Sequence, residues 1–493
     1  MVRTLLMRFY YSNYCFILLI LFFLAHAWSD YVIMIPTTSV LILWLVISIV
    51  AIIYFRVVVF FFGNKQSASL FTTLSFSFFL FFGVIEKTVL LLIGNYSGLF
   101  VKGLVVVFLI ISFFYFKKKP VKGERTVLFL NLLFSVLLVI ELISLSMKFS
   151  EKGKFVQQSF LDETYSVSNS ERLPSVYLIL LDEYAGSETL VKYGFSNNVF
   201  LKQLEEQEFK VIKNAKSNYS YTVPSIASLL NGSFMDFSNQ YSIYSGDRYR
   251  ISMQAIYKNK TIKTFSELGY KIQNFSPFAI ENAKPFYANR FIPVDIGIIL
   301  NATIFDDIID LAPLFFTRYF GSKKVFSDLV YERIKYNYEI LDSVIEQSKN
   351  RDPLPHFNYI HLMMPHAPYA IDSVGAVNVD FLKKLEVTQA DKNEAYLQYL
   401  KHTNQVVSSF IKKLKKNTNS EAIILLMSDH GSRDLAKGQK KYSSFNSLNC
   451  IYLPKGYSGK WYDSMSNVNQ FRILFSTITN TRIPLKQDSI VAY

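Results

Sequence analysis

The chain has 493 residues, a hydrophobic fraction of 51% and a formal net charge of +14. Most of the apolar excess lies before about residue 148, which excludes a single soluble globule and predicts a membrane part followed by a water-soluble part. The lysines are scattered and no zinc-finger spacing or RNA-binding signature is present, so nucleic acid is excluded as a partner; the charge is assigned to membrane flanks and anionic surfaces.

Five apolar spans are predicted, at roughly 10–28, 38–62, 69–94, 98–116 and 127–147. Each is long enough to cross a hydrocarbon core of about 30 Å as a helix. Arg56 interrupts the second near one end, and the pair Glu86-Lys87 is read as marking the end of the third. The first is not read as a cleaved signal, because more spans follow at once and no small-residue cleavage site closes it. Arg3 and Arg8 precede the first span, and the densest basic loop of the region, KKKPVKGER at 117–125, follows the fourth. Both belong inside by the positive-inside rule, so the fifth span delivers everything after residue 148 to the outside. Polar residues 149–174 read as a juxtamembrane linker.

From Pro174 the pattern becomes that of an α/β domain, expected over 175–493. The run 175–181 (SVYLILL) is a buried parallel strand followed by Asp182 and Glu183. Residues 357–362 (FNYIHL) form another, carrying His361 and leading to His366 in MMPHAPY. Residues 421–427 (EAIILLM) form a third, running into Ser428-Asp429-His430-Gly431, and 449–453, with Cys450, is strand-like. Helical patterns at 326–348 and 391–415 lie between, and strand–helix alternation of this kind builds a layered α/β sandwich with ligands at the C-terminal edge of the sheet. Strand ends that carry Asp, Glu and His point to one metal site of the zinc, manganese or magnesium type. His402 reads as surface, His356 as loop, and His26 has no evident partner. Cys15 and Cys450 are too far apart in kind of environment to pair.

Residues 218–232 (NYSYTVPSIASLLNG) carry Thr222 as an N-cap, Pro224 in the first turn, about two apolar turns, and Asn231-Gly232 as the stop. A hydroxyl at a helix N-terminus faces unsatisfied N–H groups and a positive dipole end, where phosphate binds well. A nearby metal would lower its pKa and make it a nucleophile.

In this order the elements resemble the sulfatase and alkaline-phosphatase superfamily over about 175–480. Sulfatases carry a strand ending in acids, here Leu181-Asp182-Glu183, then Cys/Ser-x-Pro-Ser-x-Ala-x-Leu-Leu-x-Gly, here Thr222 to Gly232, then His-x-Pro-aromatic, here His366 to Tyr369, and Asp-His-Gly, here Asp429 to Gly431. The departure is Thr222: sulfatases oxidise Cys or Ser there to formylglycine, and threonine cannot form that aldehyde. The branch with threonine is similar to lipoteichoic acid synthases and lipid A phosphoethanolamine transferases, which also place five spans before an exported catalytic domain.

The resemblance implies Thr222 as nucleophile, Asp429 and His430 as metal ligands beside Thr222, and a first-strand acid, Asp182 or Glu183, completing the set. It implies His366 as a phosphate contact, with His361 a weaker candidate that either supports the site or points away from it. Arg433 and Lys437, Lys440 and Lys441 follow the metal motif as phosphate-binding candidates. No histidine follows His430, which implies one tight divalent metal. The implied function is a multi-pass enzyme of the cytoplasmic (inner) membrane and cell envelope, with its catalytic domain extracytoplasmic or periplasmic. It would move phosphoglycerol or phosphoethanolamine from a phospholipid to a glycan or lipid-glycan acceptor through phospho-threonine. The alternatives are a phosphodiesterase on the same scaffold and a non-catalytic membrane receptor.

Overall fold

The computed structural model describes residues 12–29, 31, 35–93, 98–121, 125–150, 165, 167, 173–235, 237, 246–286, 296–300, 303–350, 352–384, 387–436 and 443–491. Arg3, Arg8, Lys437, Lys440, Lys441 and most of the linker lie outside them. The chain divides into two compact units, Met1–Lys154 with Pro293–Phe315, and Phe155–Ile292 with Phe316–Tyr493.

The first unit is helical: Cys15–Ser29, Thr37–Phe62, Lys65–Leu80, Phe82–Ile93, Gly98–Lys118 and Arg125–Ser150. Among the described residues three helices are long and apolar enough to cross a membrane, within Thr37–Phe62, Phe100–Lys118 and Arg125–Met147, and Cys15–Ser29 is apolar but shorter. The expectation of five such helices is therefore met in part. The third expected span is two helices, broken at Phe81. Its first half buries the hydroxyls of Ser67, Ser69, Thr72, Thr73 and Ser75 beside Leu70, Phe71 and Phe76, and Thr73, Ser75 and Ser77 each bond back to a carbonyl one turn earlier, a habit that bends helices. Glu86 and Lys87 do not end a helix; Phe82–Ile93 runs through them. His26 has a partner after all, its Nδ1 lying 2.8 Å from Glu141 Oε1. Cys15 is a free thiol facing the Ser69 and Thr73 hydroxyls at 3.1 and 3.0 Å.

The second unit is built on a six-stranded sheet of β1 (Val176–Leu181), β2 (Lys210–Val211), β3 (Lys271–Phe275), β4 (His356–Leu362), β5 (Ile423–Ser428) and β6 (Asn449–Tyr452). Their order is β2-β6-β5-β1-β4-β3. β1 runs parallel to β4 and β5, and β3 parallel to β4, while β6 and β2 add an antiparallel edge. The mixed sheet fits the α/β expectation. Every residue of β1 and β5 is buried, the reason both read as unbroken apolar runs. The register sets Leu181 beside Leu362 on one side and Ser428 on the other. The C-terminal ends of the three central strands are thereby level, and the residues at those ends face one another. The expected helices appear as Lys323–Gln347 and Gln389–Asn417, the latter started by a Thr388–Asp391 capping box.

Candidate active site

Asp182 leaves the end of β1, Asp429 the end of β5, and His361 sits one residue before the end of β4. All three are fully buried. His361 Nε2 lies 3.6 Å from Asp182 Oδ2, so His361 points into the cluster rather than away from it. One ligand atom from each of Asp182, His361 and Asp429 lies within 4.8 Å of the others, a grouping that could hold a metal ion.

His430 closes the cluster from the next position. Its Nδ1 lies 2.7 Å from the Gly431 carbonyl, which fixes Nε2 as the open nitrogen, 3.5 Å from Asp429 Oδ2 and 3.9 Å from Asp182 Oδ1. Gly431 permits this turn, because a Cβ there would strike the backbone oxygens of Asn446 and Ser443.

Thr222 opens the helix Thr222–Asn231, with Tyr221 as the N-cap residue; the sequence placed Thr222 itself in that role. The difference is one residue, and its reason is that no side chain caps this helix. The Thr222 hydroxyl instead faces the cluster, with Oγ1 3.3 Å from His430 Nε2 and 3.5 Å from Asp182 Oδ1. Gly232 ends the helix in the left-handed region, φ 54°. Ser225, on the same first turn, donates to the Asp429 carbonyl at 2.5 Å and ties the helix start to the β5 end.

Glu183 goes elsewhere. At φ 63° it turns out of β1, and its Oε1 accepts from the Arg433 backbone N–H (2.8 Å) and Nε (3.3 Å). Arg433 Nη2 lies 3.3 Å from His366 Nε2, and its guanidinium sits 5.1 Å from the Tyr221 ring centre. Arg433 and His366 thus gather at Glu183 and the Tyr221 ring, next in the chain to Thr222, while Asp182, rather than Glu183, joins the buried cluster. Tyr396 holds this turn: its hydroxyl donates to the Glu183 carbonyl and accepts from the Ala185 N–H, both at 2.9 Å.

Charge in the cluster is unequally distributed. Burial raises the Asp182 carboxyl, but His366, His361 and His430 overcome this and hold it below the usual carboxylate range. Burial and the Asp182 charge together push Asp429 up. Burial, aided by Arg433, lowers His430 to about 4, so its imidazole is neutral. Asp182 Oδ2, Asp429 Oδ2 and both His361 nitrogens are buried with no hydrogen-bond partner. Two carboxylates and an imidazole left unsatisfied together are costly unless a cation takes the lone pairs. This donor set fits a divalent metal.

Sulfatase is the family whose model matches, over residues 174–469. The chain belongs to the sulfatase family. No curated protein matches the chain by sequence. The C-terminal periplasmic domain of EcEptC from Escherichia coli, in complex with Zn, is similar at 11% identity and a TM-score of 0.41, covering 64% of this chain and 84% of that one. The phosphonate monoester hydrolase SpPMH from Silicibacter pomeroyi is similar at 14% identity and 0.40, covering 64% and 75%. The soluble domain of lipooligosaccharide phosphoethanolamine transferase A from Neisseria meningitidis stands at 11% and 0.37, covering 62% and 88%. Likenesses at these scores do not bear on substrate or chemistry.

The sequence singled out Thr222, Asp182, Glu183, His361, His366, Asp429, His430 and Arg433, and the sulfatase domain gathers all of them at one sheet edge. It did not single out Tyr396 or Ser225. Ser225 stands inside the motif that was read, whereas Tyr396 lies in a long helix with nothing local to mark it. Three histidines differ from expectation. His356 opens β4 and lies 3.2 Å from Asp352 Oδ2. His402 is half-buried with Nε2 3.0 Å from the Tyr338 hydroxyl. His26 is described above.

Proposed function

We propose that the chain is a membrane-bound phosphotransferase. It takes a phosphoglycerol or phosphoethanolamine group from a phospholipid onto Thr222 and passes it to a hydroxyl of a cell-surface glycan. The observation that carries this reading is the Thr222 hydroxyl, at a helix N-terminus and 3.3 to 3.5 Å from His430 and Asp182, where sulfatases place Cys or Ser. A hydroxyl that keeps its β-methyl cannot become formylglycine, but it can attack phosphorus.

Asp182, His361, Asp429 and His430 are the residues that would hold a divalent zinc, manganese or magnesium ion. Such an ion would supply charge neutralisation at the transferred phosphoryl group and favour the ionised Thr222 oxygen. The rest is done by the chain itself. Arg433, braced by Glu183, and His366 bind the phosphoryl oxygens and orient the donor. Thr222 Oγ1 bonds to phosphorus as the bond to the diacylglycerol oxygen breaks; the threonine proton passes to Asp182 Oδ1, which faces it, and on to the departing diacylglycerol oxygen. In the second step the acceptor hydroxyl bonds to phosphorus as the bond to Thr222 Oγ1 breaks, and the acceptor's proton restores the threonine hydroxyl. The basic loop at 117–125 supports residues 175–493 as an extracytoplasmic catalytic domain after a transmembrane domain at 1–148 and a linker at 149–174, in the cytoplasmic membrane.

The test is the purified full-length protein with fluorescent phosphatidylglycerol or phosphatidylethanolamine, with and without a lipid-linked glycan. Diacylglycerol release that needs the glycan supports the transferase. Release at the same rate without it makes the protein a phosphodiesterase, and no release from either lipid with metal supplied overturns both.

A further inference from the structure

Residues 481–491 (TRIPLKQDSIV), interrupted by Pro484, fold into neither helix nor strand. Side chains of the second unit hold them in place as a strap. Arg472, on the helix Gln470–Thr479, donates from Nη1 to the Pro484 carbonyl at 2.8 Å. Asn469 clasps Lys486 twice, its Oδ1 accepting from the Lys486 N–H at 2.8 Å and its Nδ2 donating to the Lys486 carbonyl at 2.9 Å. Asp488 reaches back the other way. Its Oδ1 accepts from the Ser466 N–H (2.7 Å), the Ser466 hydroxyl (2.8 Å) and Asn469 Nδ2 (3.1 Å), and its Oδ2 accepts from the Tyr462 hydroxyl (2.6 Å). Hydrogen bonds to an ionised carboxylate are roughly twice as strong as neutral ones.

The same strap grips both ends of the helix that carries Thr222. Shortly before its start, the buried Asn218 donates from Nδ2 to the Ser489 carbonyl and accepts at its own carbonyl from the Val491 N–H, both at 2.8 Å. At its end, Arg472 Nε donates to the Gly232 carbonyl at 2.8 Å while Nη1 holds Pro484. The turn that Asp488 holds, residues 466–469, reaches the site as well. The Val468 N–H donates to Asn218 Oδ1 at 2.7 Å, and Asn467 Nδ2 donates to the Ser428 and Asp429 carbonyls at 3.2 and 3.4 Å. Asn218, Asn467 and Asn469 are buried, and a buried amide that loses its partners is destabilised, so strap and turn stay in register with the helix.

We propose, on the reading of Thr222 as the nucleophile, that Asp488 is a positioning residue for the transfer. It touches no reacting atom. Through residues 466–469 and Asn218 it fixes the start of the Thr222 helix against the Asp429 end of β5, and so fixes Thr222 Oγ1 against Asp182 and His430. In-line attack on phosphorus tolerates little displacement: a misplacement of about 1 Å costs on the order of a hundredfold in rate.

The experiment compares full-length wild type, Asp488→Ala, Asp488→Asn and Asn417→Ala in detergent. Two quantities are read: hydrogen–deuterium exchange, and diacylglycerol release from fluorescent phosphatidylglycerol and phosphatidylethanolamine with lipid-linked glycan present. Asparagine at 488 keeps an Oδ1 acceptor. Asn417, which donates to the Ile345 carbonyl and the Ser348 hydroxyl, loses a comparable bridge just ahead of the N-terminal end of β5. Asp488→Ala should speed exchange at residues 218–223 and lower kcat about tenfold or more with KM within about twofold of wild type. Asp488→Asn should restore most of both, and Asn417→Ala should leave both at wild type. If Asp488→Ala does not fold, Ser466→Ala, which removes the hydroxyl donor alone, should move exchange and kcat in the same direction by less. Unchanged exchange at 218–223 overturns the assignment, as does faster exchange with wild-type kcat, or an equal loss in Asn417→Ala. Wild-type protein that releases no diacylglycerol from either lipid overturns the transferase reading alone, and exchange then decides whether Asp488 fixes the helix.

Discussion

Removing metal is expected to cost the catalytic unit several kcal/mol, and one substitution should abolish the difference. Asp182 Oδ2, Asp429 Oδ2 and His361 Nε2 are buried without partners. A buried unsatisfied group costs about 1–3 kcal/mol, so a cation that satisfies all three relieves roughly 3–9 kcal/mol. At a hundredfold excess of metal over its Kd the mass-action gain is about 2.7 kcal/mol. In a domain of this size each kcal/mol moves the midpoint by about 2 °C, so a shift of about 5 °C or more should separate metal-loaded from chelated protein. The assay is a thermal melt of the full chain in detergent, followed by tryptophan fluorescence; Trp461 is buried in the catalytic unit. Asp182→Asn keeps the shape and removes the charge, and should melt alike with and without metal. If chelation leaves the wild-type midpoint unmoved, or if Asp182→Asn responds as wild type does, the cluster is not a metal site.

Three further outcomes follow from the same geometry. Gly431→Ala drives a Cβ into the Asn446 and Ser443 carbonyl oxygens; it should cost about 1–3 kcal/mol in a melt and erase the metal response. Tyr396→Phe frees the Glu183 carbonyl and the Ala185 N–H. Stability should fall by about 1–3 kcal/mol and kcat should fall further than KM rises, because the Glu183–Arg433 pair is displaced; an unchanged kcat would contradict that positioning. Burial lowers the His402 pKa below its usual value near 6.5, so below that pH the unfolded chain binds a proton that the folded chain resists. Wild type should therefore lose stability relative to His402→Gln as pH falls from about 6.5, and a pH-independent difference between the two melts would refute it.

What could be read from the residues follows where the physics is local. β1 and β5 are buried on both faces and so are continuous apolar runs, visible without a partner. The helix at Thr222 carries its own proline and its own glycine stop. The site acids and histidines were legible because they follow those strands directly. β3 was not, since KIQNF at an edge has no apolar run, and β2 is two residues long. The choice between Asp182 and Glu183 was likewise closed to the sequence. Glu183 is turned out of the buried cluster by its φ of 63° and held by Arg433, a residue 250 positions away. The break at Phe81 within 69–94 was hidden because buried serines and threonines were averaged into an apolar window, and His26 had no visible partner because Glu141 is 115 positions distant.

Thr222 is the residue expected to carry the transferred group. Full-length protein should be incubated with phosphatidylglycerol or phosphatidylethanolamine, without acceptor, and quenched in acid. Tandem mass spectrometry of the peptide spanning Thr222 should then show a phosphoglycerol or phosphoethanolamine mass on that residue, absent from Thr222→Ala and lost on adding acceptor. Turnover of the lipid by Thr222→Ala at the wild-type rate, or an adduct on a different side chain, would contradict it.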